Sequence, residues 1–507
     1  MLHINHALGL GAQLVVIDPR RTQSSEQANL FIQPRPGTDG VLALAIAKVL
    51  IRENFTDETF IKKYVYGYHQ YKVMLQSLSI REAAEIADVP EEKIRLLAEM
   101  IGKIRPVSIN AGFGMQRYSN SGQTMRAIIA LLALTGNIGK PGAGWIYANL
   151  QSSIFNKVKD PLAFYPPEKP DGLIRVAIST AKLGQDMLKT KDPALKMIWV
   201  ERGNPVTQNP DTHTVLKAFR ALDFRVVVDQ FMTDTAREAD LILPAKTMFE
   251  QSDVIGAYWH PYIQIKQKII DPPGEVKPET EIYFLLARHL GFEKKKIERF
   301  IPEPGDEGVN KYLKEKLREF PDLTLDRLKQ GPVISPFNQT IAFKDMKFKT
   351  PSGRIELYSR EAIKRWKVPG TAVFSEPVEA SMRSGTHKNV YPLFFMTPNT
   401  KNRIHSQFNN LAMIRQFSEK PGLQMHPDDA LSRKIRNGDL VRIYNDRGEV
   451  KVEVELDYSI RRGCVAMTNG WWITEGGTVN FLSCGRETDM GFGAAFHENL
   501  VEVERVR

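Results

Sequence analysis

Hydrophobic positions change their rhythm along this chain, and the change divides it. Val15, Val16 and Ile17 form a short β-branched run of the kind that builds a strand buried on both faces, so a central strand is expected there. The spacing predicts amphipathic helices over Gly40–Asn54 and Pro90–Ile104, and a second strand at Val107–Asn110. Gly122–Leu134 reads as a buried helix stopped by the glycine-rich stretch Gly136–Gly142. Strands alternating with helices predict a parallel sheet covered on both faces. A polar, proline-rich connection over 151–171 precedes a second start of this alternation at Met197–Val200, which runs to Leu290. Residues 292–349 are charged and irregular, and are expected to cover a sheet rather than build one. After Tyr391 the pattern shortens to strands at Leu393–Met396, Leu440–Tyr444, Val450–Leu456 and Cys464–Met467, with Asn445-Asp446-Arg447-Gly448 as a hairpin turn. The class is therefore α/β, with domains expected over 1–150 and 151–380 and a β domain over 381–507.

The alternation contains an internal repeat. Val15-Val16-Ile17-Asp18, followed by Ala28-Asn29-Leu30-Phe31-Ile32, recurs as Val226-Val227-Val228-Asp229, followed by Ala239-Asp240-Leu241-Ile242-Leu243, with the same interval from Asp to Ala. Each copy reads as a strand ending in an acid, a polar loop with a short helix, and a second strand. In open α/β sheets ligands lie beyond the carboxyl ends of strands. A carboxylate there can accept the N1–H and N2–H of guanine as a bidentate, charge-assisted pair. Asp18 and Asp229 thus suggest two nucleotide sites, or one ligand with two nucleotides. An Asp in this place also caps a following short helix, and the sequence leaves both roles open. Glycine-rich loops stand where phosphates need backbone N–H groups: Ala111–Gln116 after a strand, and Arg35–Gly40 at a helix start.

Composition narrows the classes. A length of 507 residues exceeds what one core organises. The net charge is +10, but the basic residues are dispersed and not interleaved with aromatics, which argues against a nucleic-acid partner. The only cysteines, Cys464 and Cys484, are too few for a disulfide framework or a four-thiolate cluster, so a reduced, cytoplasmic setting is expected. No apolar stretch approaches the ~20 residues that span a bilayer. The start, Met1–His6, lacks the form of an export signal, and its His3/His6 pair reads as incidental.

Taken together and in order, several motifs resemble the molybdopterin oxidoreductases of the dimethyl sulfoxide reductase family, and among them the formate dehydrogenase-like members. They are Val16–Thr22, Arg35–Asp39, Leu134–Gly144, Gly203-Asn204-Pro205, Glu238–Pro244, Pro272–Glu275 and Thr350–Glu356. The resemblance implies two Rossmann-like αβα domains with a C-terminal β-barrel of the double-psi type. It implies a bis-molybdopterin guanine dinucleotide cofactor carrying molybdenum or tungsten. By the same resemblance Asp18 and Asp229 would meet the two guanines. Arg20, Thr38, Asp39, Gly112 and Gln116 would serve one dinucleotide, and Asn204, Gln251 and Glu279 the other. The segment 397–406 is similar to the family's pterin-contacting loop, which brings in Thr397, Asn399, Arg403, His405 and Ser406, with Trp471 and Asn480 as further contacts.

The resemblance also implies an N-terminal cysteine motif for an iron–sulfur cluster and a metal ligand, neither of which these residues contain. Neither cysteine matches a metal-ligand position, so no catalytic or metal residue is assigned. The expected activity is two-electron oxidation or reduction of a small substrate, formate first, in an enzyme completed by an N-terminal iron–sulfur section or subunit and by electron-transfer subunits. A truncated product and a non-catalytic scaffold subunit of an electron-transfer complex remain as alternatives, and export through a partner stays open.

Overall fold

The computed structural model describes residues 2–147, 177–382, 390–417 and 420–506. The connection expected over 151–171 lies outside them. Two Rossmann-like α/β units and a β-barrel make up the described architecture.

In the first unit, Val15–Ile17 pairs in parallel with Leu30–Ile32, and Ser108–Asn110 with Gly144–Ile146. The strand expected to be central is only half buried. Ile17 is 41% exposed, and among the described residues the strand has one neighbour, so its other edge is open. The helix Asp39–Arg52 also differs from its amphipathic expectation. It is buried on nearly all sides, from Gly40 to Leu50 with Lys48 excepted, because other helices wrap it. One of these, Ser121–Leu134, approaches so closely that a Cβ on Gly40 would lie 2.8 Å from the Thr124 hydroxyl. The core of this unit joins Ile32, Leu42, Leu50, Ile94 and Leu134.

The second unit is a three-stranded parallel sheet, Met197–Glu201, Phe224–Asp229 and Leu241–Pro244, over Val206, Val215, Phe219 and Val227. The sequence repeat is a structural repeat. Val15 faces Leu30 as Val226 faces Leu241, 15 residues along the chain in each case. The edge of each pair is closed by the same reciprocal latch. Asn29 Oδ1 accepts from Leu14 N at 2.8 Å while Asn29 N donates to Leu14 O, and Asp240 Oδ2 accepts from Arg225 N at 2.8 Å while Asp240 N donates to Arg225 O.

Residues 292–349 do more than cover. Val333–Ile334 joins an antiparallel sheet with Tyr262–Lys266 and Asp253–Ile255, and Leu317, Leu323, Leu325 and Leu328 pack on Ile263 as a separate core. The last section closes into a six-stranded barrel in the order Leu393–Met396, Cys464–Met467, Gly422–Met425, Gly448–Leu456, Leu440–Asn445 and Asn499–Arg505. Strand Gly448–Leu456 shows why: Val450, Val452 and Val454 point inward while Glu449, Lys451 and Glu453 point to solvent. No helix among the described residues is long and apolar enough to cross a membrane.

Candidate functional site

Both repeat acids stand at strand ends, and neither caps a helix. The short helices that follow, Gln23–Glu26 and Asp234–Arg237, have Thr22 and Thr233 at their N-caps. Asp18 Oδ1 instead accepts from Arg20 N at 2.8 Å, and Asp229 Oδ1 from Gln230 N at 2.7 Å and Phe231 N at 3.3 Å. Burial raises both carboxyls above their ordinary value, with these N–H groups pulling the other way. An acid held this way gains from any additional donor that reaches it.

Around Asp18 the chain converges from three directions. The turn after it is pinned to the barrel, with Arg21 N donating to Ser459 O at 2.8 Å and the Arg20 guanidinium 3.8 Å from Asp457. Thr38 is fully buried at the start of helix Asp39–Arg52 and donates to Arg35 O at 2.6 Å. Asp39 follows it; lost hydration pushes its carboxyl up to about 6, and the charge of Asp18 adds to the rise. Gly112 opens the 3-10 turn Phe113–Gln116 with free space on its Cβ side, and Gln116 Oε1 accepts from the Tyr147 hydroxyl at 2.6 Å.

Three residues that the sequence reading did not single out complete this side. His497 N donates to Arg117 O at 3.0 Å, and its ring meets Tyr118 edge to face at 5.9 Å. Burial, and then the charge of Arg117, lower His497 to about 4, against backbone hydrogen bonds at Thr397 and Gly114. His405 is lowered by burial and by the same Arg117. Tyr118 is raised well above its ordinary value by burial and by Asp39. Arg117 and Tyr118 directly follow the Ala111–Gln116 loop and could have been read with it; nothing local marks His497.

On the second side, Asn204 is 4% exposed, and its Oδ1 accepts from Thr235 N at 3.2 Å and the Thr235 hydroxyl at 2.7 Å. Its Nδ2 donates to Ser406 Oγ at 3.3 Å, tying the second α/β unit to the 397–406 loop. Asp234 makes a parallel tie, accepting from the Thr207 hydroxyl at 2.6 Å and Ile473 N at 2.8 Å. Asn480 completes the set by donating to Thr207 O at 2.8 Å. Glu279 opens helix Glu279–His289 and is gripped by Arg202 at 2.8 and 3.0 Å. Burial is the largest influence on Glu279 and works to raise it, but Arg202, a backbone hydrogen bond and the charge of Lys266 together hold the carboxyl below its ordinary value. Gln251 is half-buried beside Glu250.

The 397–406 loop is propped from below by residues 468–472. Asn469 Nδ2 donates to Thr397 O at 3.0 Å and Asn399 Oδ1 at 2.9 Å, Arg403 stacks on Trp471 at 3.5 Å, and Trp472 Nε1 donates to Ser406 O at 3.0 Å. Gly470, at φ +84°, lets the His405 carbonyl come so near that a Cβ could not fit. Trp471 is thus a buried support, its own Nε1 spent on Thr468 at 3.0 Å. Cys464 lies in a barrel strand, and burial raises the half-buried Cys484. Among the described residues no group of three His, Cys, Asp or Glu could hold a metal.

The donor set suits a large polar ligand with two similar ends. Two strand-end acids repeat one geometry, a glycine turn leaves backbone open, and Thr400 Oγ1 in the 397–406 loop is a buried hydroxyl with no protein partner among the described residues, as are the hydroxyls of Tyr71, Thr212 and Thr247.

Comparison with known proteins agrees. Residues 2–289 match the molybdopterin oxidoreductase family, and residues 393–500 the molydopterin dinucleotide binding domain. A probable oxidoreductase of Bacillus subtilis, YyaE, is 33% identical across 99% of this chain and 73% of its own length. The dimethyl sulfoxide reductase DmsA of Haemophilus influenzae is 31% identical across 98% of this chain and 68% of its own. The solved acetylene hydratase of Pelobacter acetylenicus shares the fold, with a TM-score of 0.81 at 21% identity, covering 99% of this chain and 75% of that one.

Proposed function

This chain belongs to the molybdopterin oxidoreductases of the dimethyl sulfoxide reductase family, and from that premise we propose that it reduces a small sulfoxide-type substrate by two electrons. The relatives' names move the substrate from the formate expected above to an oxygen-bearing acceptor. The cofactor is of the molybdenum bis-dinucleotide type, and when bound it supplies the two-electron centre. The repeated strand-end acid carries this reading. It is the feature that a ligand with two like nucleotides requires and that helix capping does not explain.

In this proposal Asp18 and Asp229 accept the N1–H and N2–H of one guanine each. Thr38, Asp39, Gly112 and Gln116 line the first dinucleotide, with Arg20 orienting the Asp18 turn. Asn204, Gln251 and Glu279 line the second, and Glu279 keeps its charge through Arg202. Thr397, Asn399, Arg403, His405 and Ser406 face the pterins, and Trp471 and Asn480 hold that loop and the barrel in register. His405, its pKa lowered, offers a neutral ring whose nitrogen can donate or accept without adding charge. A four-thiolate iron–sulfur cluster needs more cysteines than the two present. In this reading a four-thiolate cluster and the metal ligand would be supplied by a section or subunit other than these residues, and tungsten could replace molybdenum without changing the roles above.

The test is metal and pterin analysis of the protein purified from its host, with Asp18→Ala, Asp229→Ala and the exposed Glu453→Ala side by side. We expect molybdenum with GMP-releasing pterin in the parent and in Glu453→Ala, and a severalfold loss in the other two. Equal content in all four would remove the guanine assignment. A parent free of metal and pterin would favour a scaffold.

A further inference from the structure

Basic residues are dispersed along most of the chain, but between Leu286 and Phe300 five lysines and arginines stand against two glutamates. Helix Glu279–His289 ends in this stretch, Gly291 turns the chain at a left-handed φ of +81°, and helix Lys294–Glu298 follows. Ile297 is the residue that the second helix buries. Backbone bonds from Ile297 N to Glu293 O and from Ile301 N to Ile297 O carry the helical turn past both of its ends. Phe292, Lys296 and Phe300 therefore stand four residues apart along one side. The Lys296 ammonium lies 5.8 Å from the Phe292 ring, and the Arg299 guanidinium 5.4 Å from the Phe300 ring. Phe292, Phe300 and the neighbouring Leu290 are 49%, 63% and 67% exposed. Glu298 and Glu303 are both held by Lys294, at 3.3 and 2.6 Å, which leaves Glu293 as the fully exposed acid of the stretch. Arg288, Lys295, Lys296 and Arg299 are exposed and have no carboxylate partner among the described residues.

We propose that this face rests on an anionic lipid bilayer, with Leu290, Phe292 and Phe300 entering the headgroup boundary while the lysines and arginines meet lipid phosphates. Lysine is depleted at the cores of protein interfaces, so three consecutive lysines beside exposed phenylalanines fit lipid better than a protein partner. A cation beside an aromatic ring keeps its charge at headgroup level while its stem covers apolar surface. Each basic residue held near an anionic surface strengthens partitioning about fivefold, so the four without acid partners together favour charged over neutral lipid by roughly several hundredfold. The net charge of +10 adds a longer-range attraction that salt screens, whereas the hold of the apolar side chains persists in salt. Contact of this kind lies on a membrane surface and needs no spanning helix. It stands independently of the cofactor reading.

Flotation of the protein purified from its host with phosphatidylcholine vesicles, with and without phosphatidylglycerol, measures the contact. Binding is expected to the mixed vesicles and not to phosphatidylcholine alone. Lys295→Gln with Lys296→Gln should lower partitioning by roughly 25-fold, and Phe292→Ser with Phe300→Ser by at least about tenfold, with the far-ultraviolet circular dichroism unchanged. Lys62→Gln with Lys63→Gln removes the same charge from exposed positions in helix Glu58–Tyr64 and should leave partitioning within about twofold. Equal losses from the two lysine pairs would mean attraction by net charge alone and overturn the proposal. Undiminished binding by the phenylalanine pair, or no binding to the mixed vesicles, also overturns it. A photo-crosslinking residue at Leu290, in the protein expressed in its own host, should link to lipid. A link only to a protein, to residues 148–176 or to nucleic acid, or no link at all, counts against the proposal in the same way.

Discussion

Replacing Asn204 by alanine takes an acceptor from two buried donors at once. The Thr235 N–H and hydroxyl both end on Asn204 Oδ1, at 3.2 and 2.7 Å, in a site where Asn204 is 4% exposed and Thr235 fully buried. A buried donor stripped of its acceptor costs about 1–3 kcal/mol. The hydroxyl can rotate toward another acceptor and the amide cannot, so the total should be about 2–4 kcal/mol. Ser406→Ala removes only the longer Asn204–Ser406 contact at 3.3 Å and should cost under about 1 kcal/mol. Guanidinium unfolding of the cofactor-free protein, followed by circular dichroism, measures both. The same Asn204→Ala variant should loosen the 397–406 loop and retain less pterin. Equal costs for the two variants, or a cost below about 0.5 kcal/mol for Asn204→Ala, would refute the network as drawn, since the two-donor argument requires them to differ.

Two titrations should oppose each other in the cofactor-free protein. Asp39 rises from an ordinary 3.8 to about 6, so the unfolded chain ionises first and stability falls as pH climbs from about 4 to 6, by up to about 3 kcal/mol; Asp39→Asn should abolish that fall. His497 drops from 6.5 to about 4, so its contribution is complete above 6.5 and is lost toward pH 4; His497→Gln should remove that loss, by up to about 3 kcal/mol. Unfolding free energies at pH 4 and 7 check both, and a variant-minus-parent difference independent of pH contradicts the assignment. Gly470→Ala forces a Cβ into the His405 carbonyl at a left-handed φ and should cost at least about 1–2 kcal/mol. Hydrogen exchange should rise in peptides covering 397–406, and unchanged exchange would show that the loop does not depend on Gly470.

What the sequence revealed and what it hid have physical reasons. Strands such as Leu393–Met396 and Cys464–Met467 were legible to the residue because buried strands are continuous apolar runs. The repeat was legible because a shared register imposes a shared spacing. Helix Asp39–Arg52 misled because Lys48 and Arg52 give it a polar side; Lys48 in fact donates to the Gln76 and Leu78 carbonyls inside the fold. Val333–Ile334 is too short to show a period, and its partner strand lies some seventy residues earlier. At the site, Asp18 and Asp229 could be found because local pattern placed them. His497 meets neighbours at Gly114 and Thr397, a hundred residues or more away along the chain, and such contacts leave no local mark.

The paired edge latches differ in one respect that matters to the surrounding medium. At Leu14 and Asn29 the contact is neutral throughout, whereas Arg225 also sets its guanidinium on Asp240 at 2.7 Å and holds that carboxyl below its ordinary value. An exposed ionic contact weakens as dissolved salt screens it, and its contribution, present above the ordinary carboxyl pKa, disappears as acid protonates the aspartate. Concentrated brine or strong acid should therefore fray the start of the Phe224–Asp229 pairing with Leu241–Pro244 while leaving the Val15–Ile17 pairing with Leu30–Ile32 closed. Two halves folded on one pattern would then come apart in a definite order, each sensing its solvent differently.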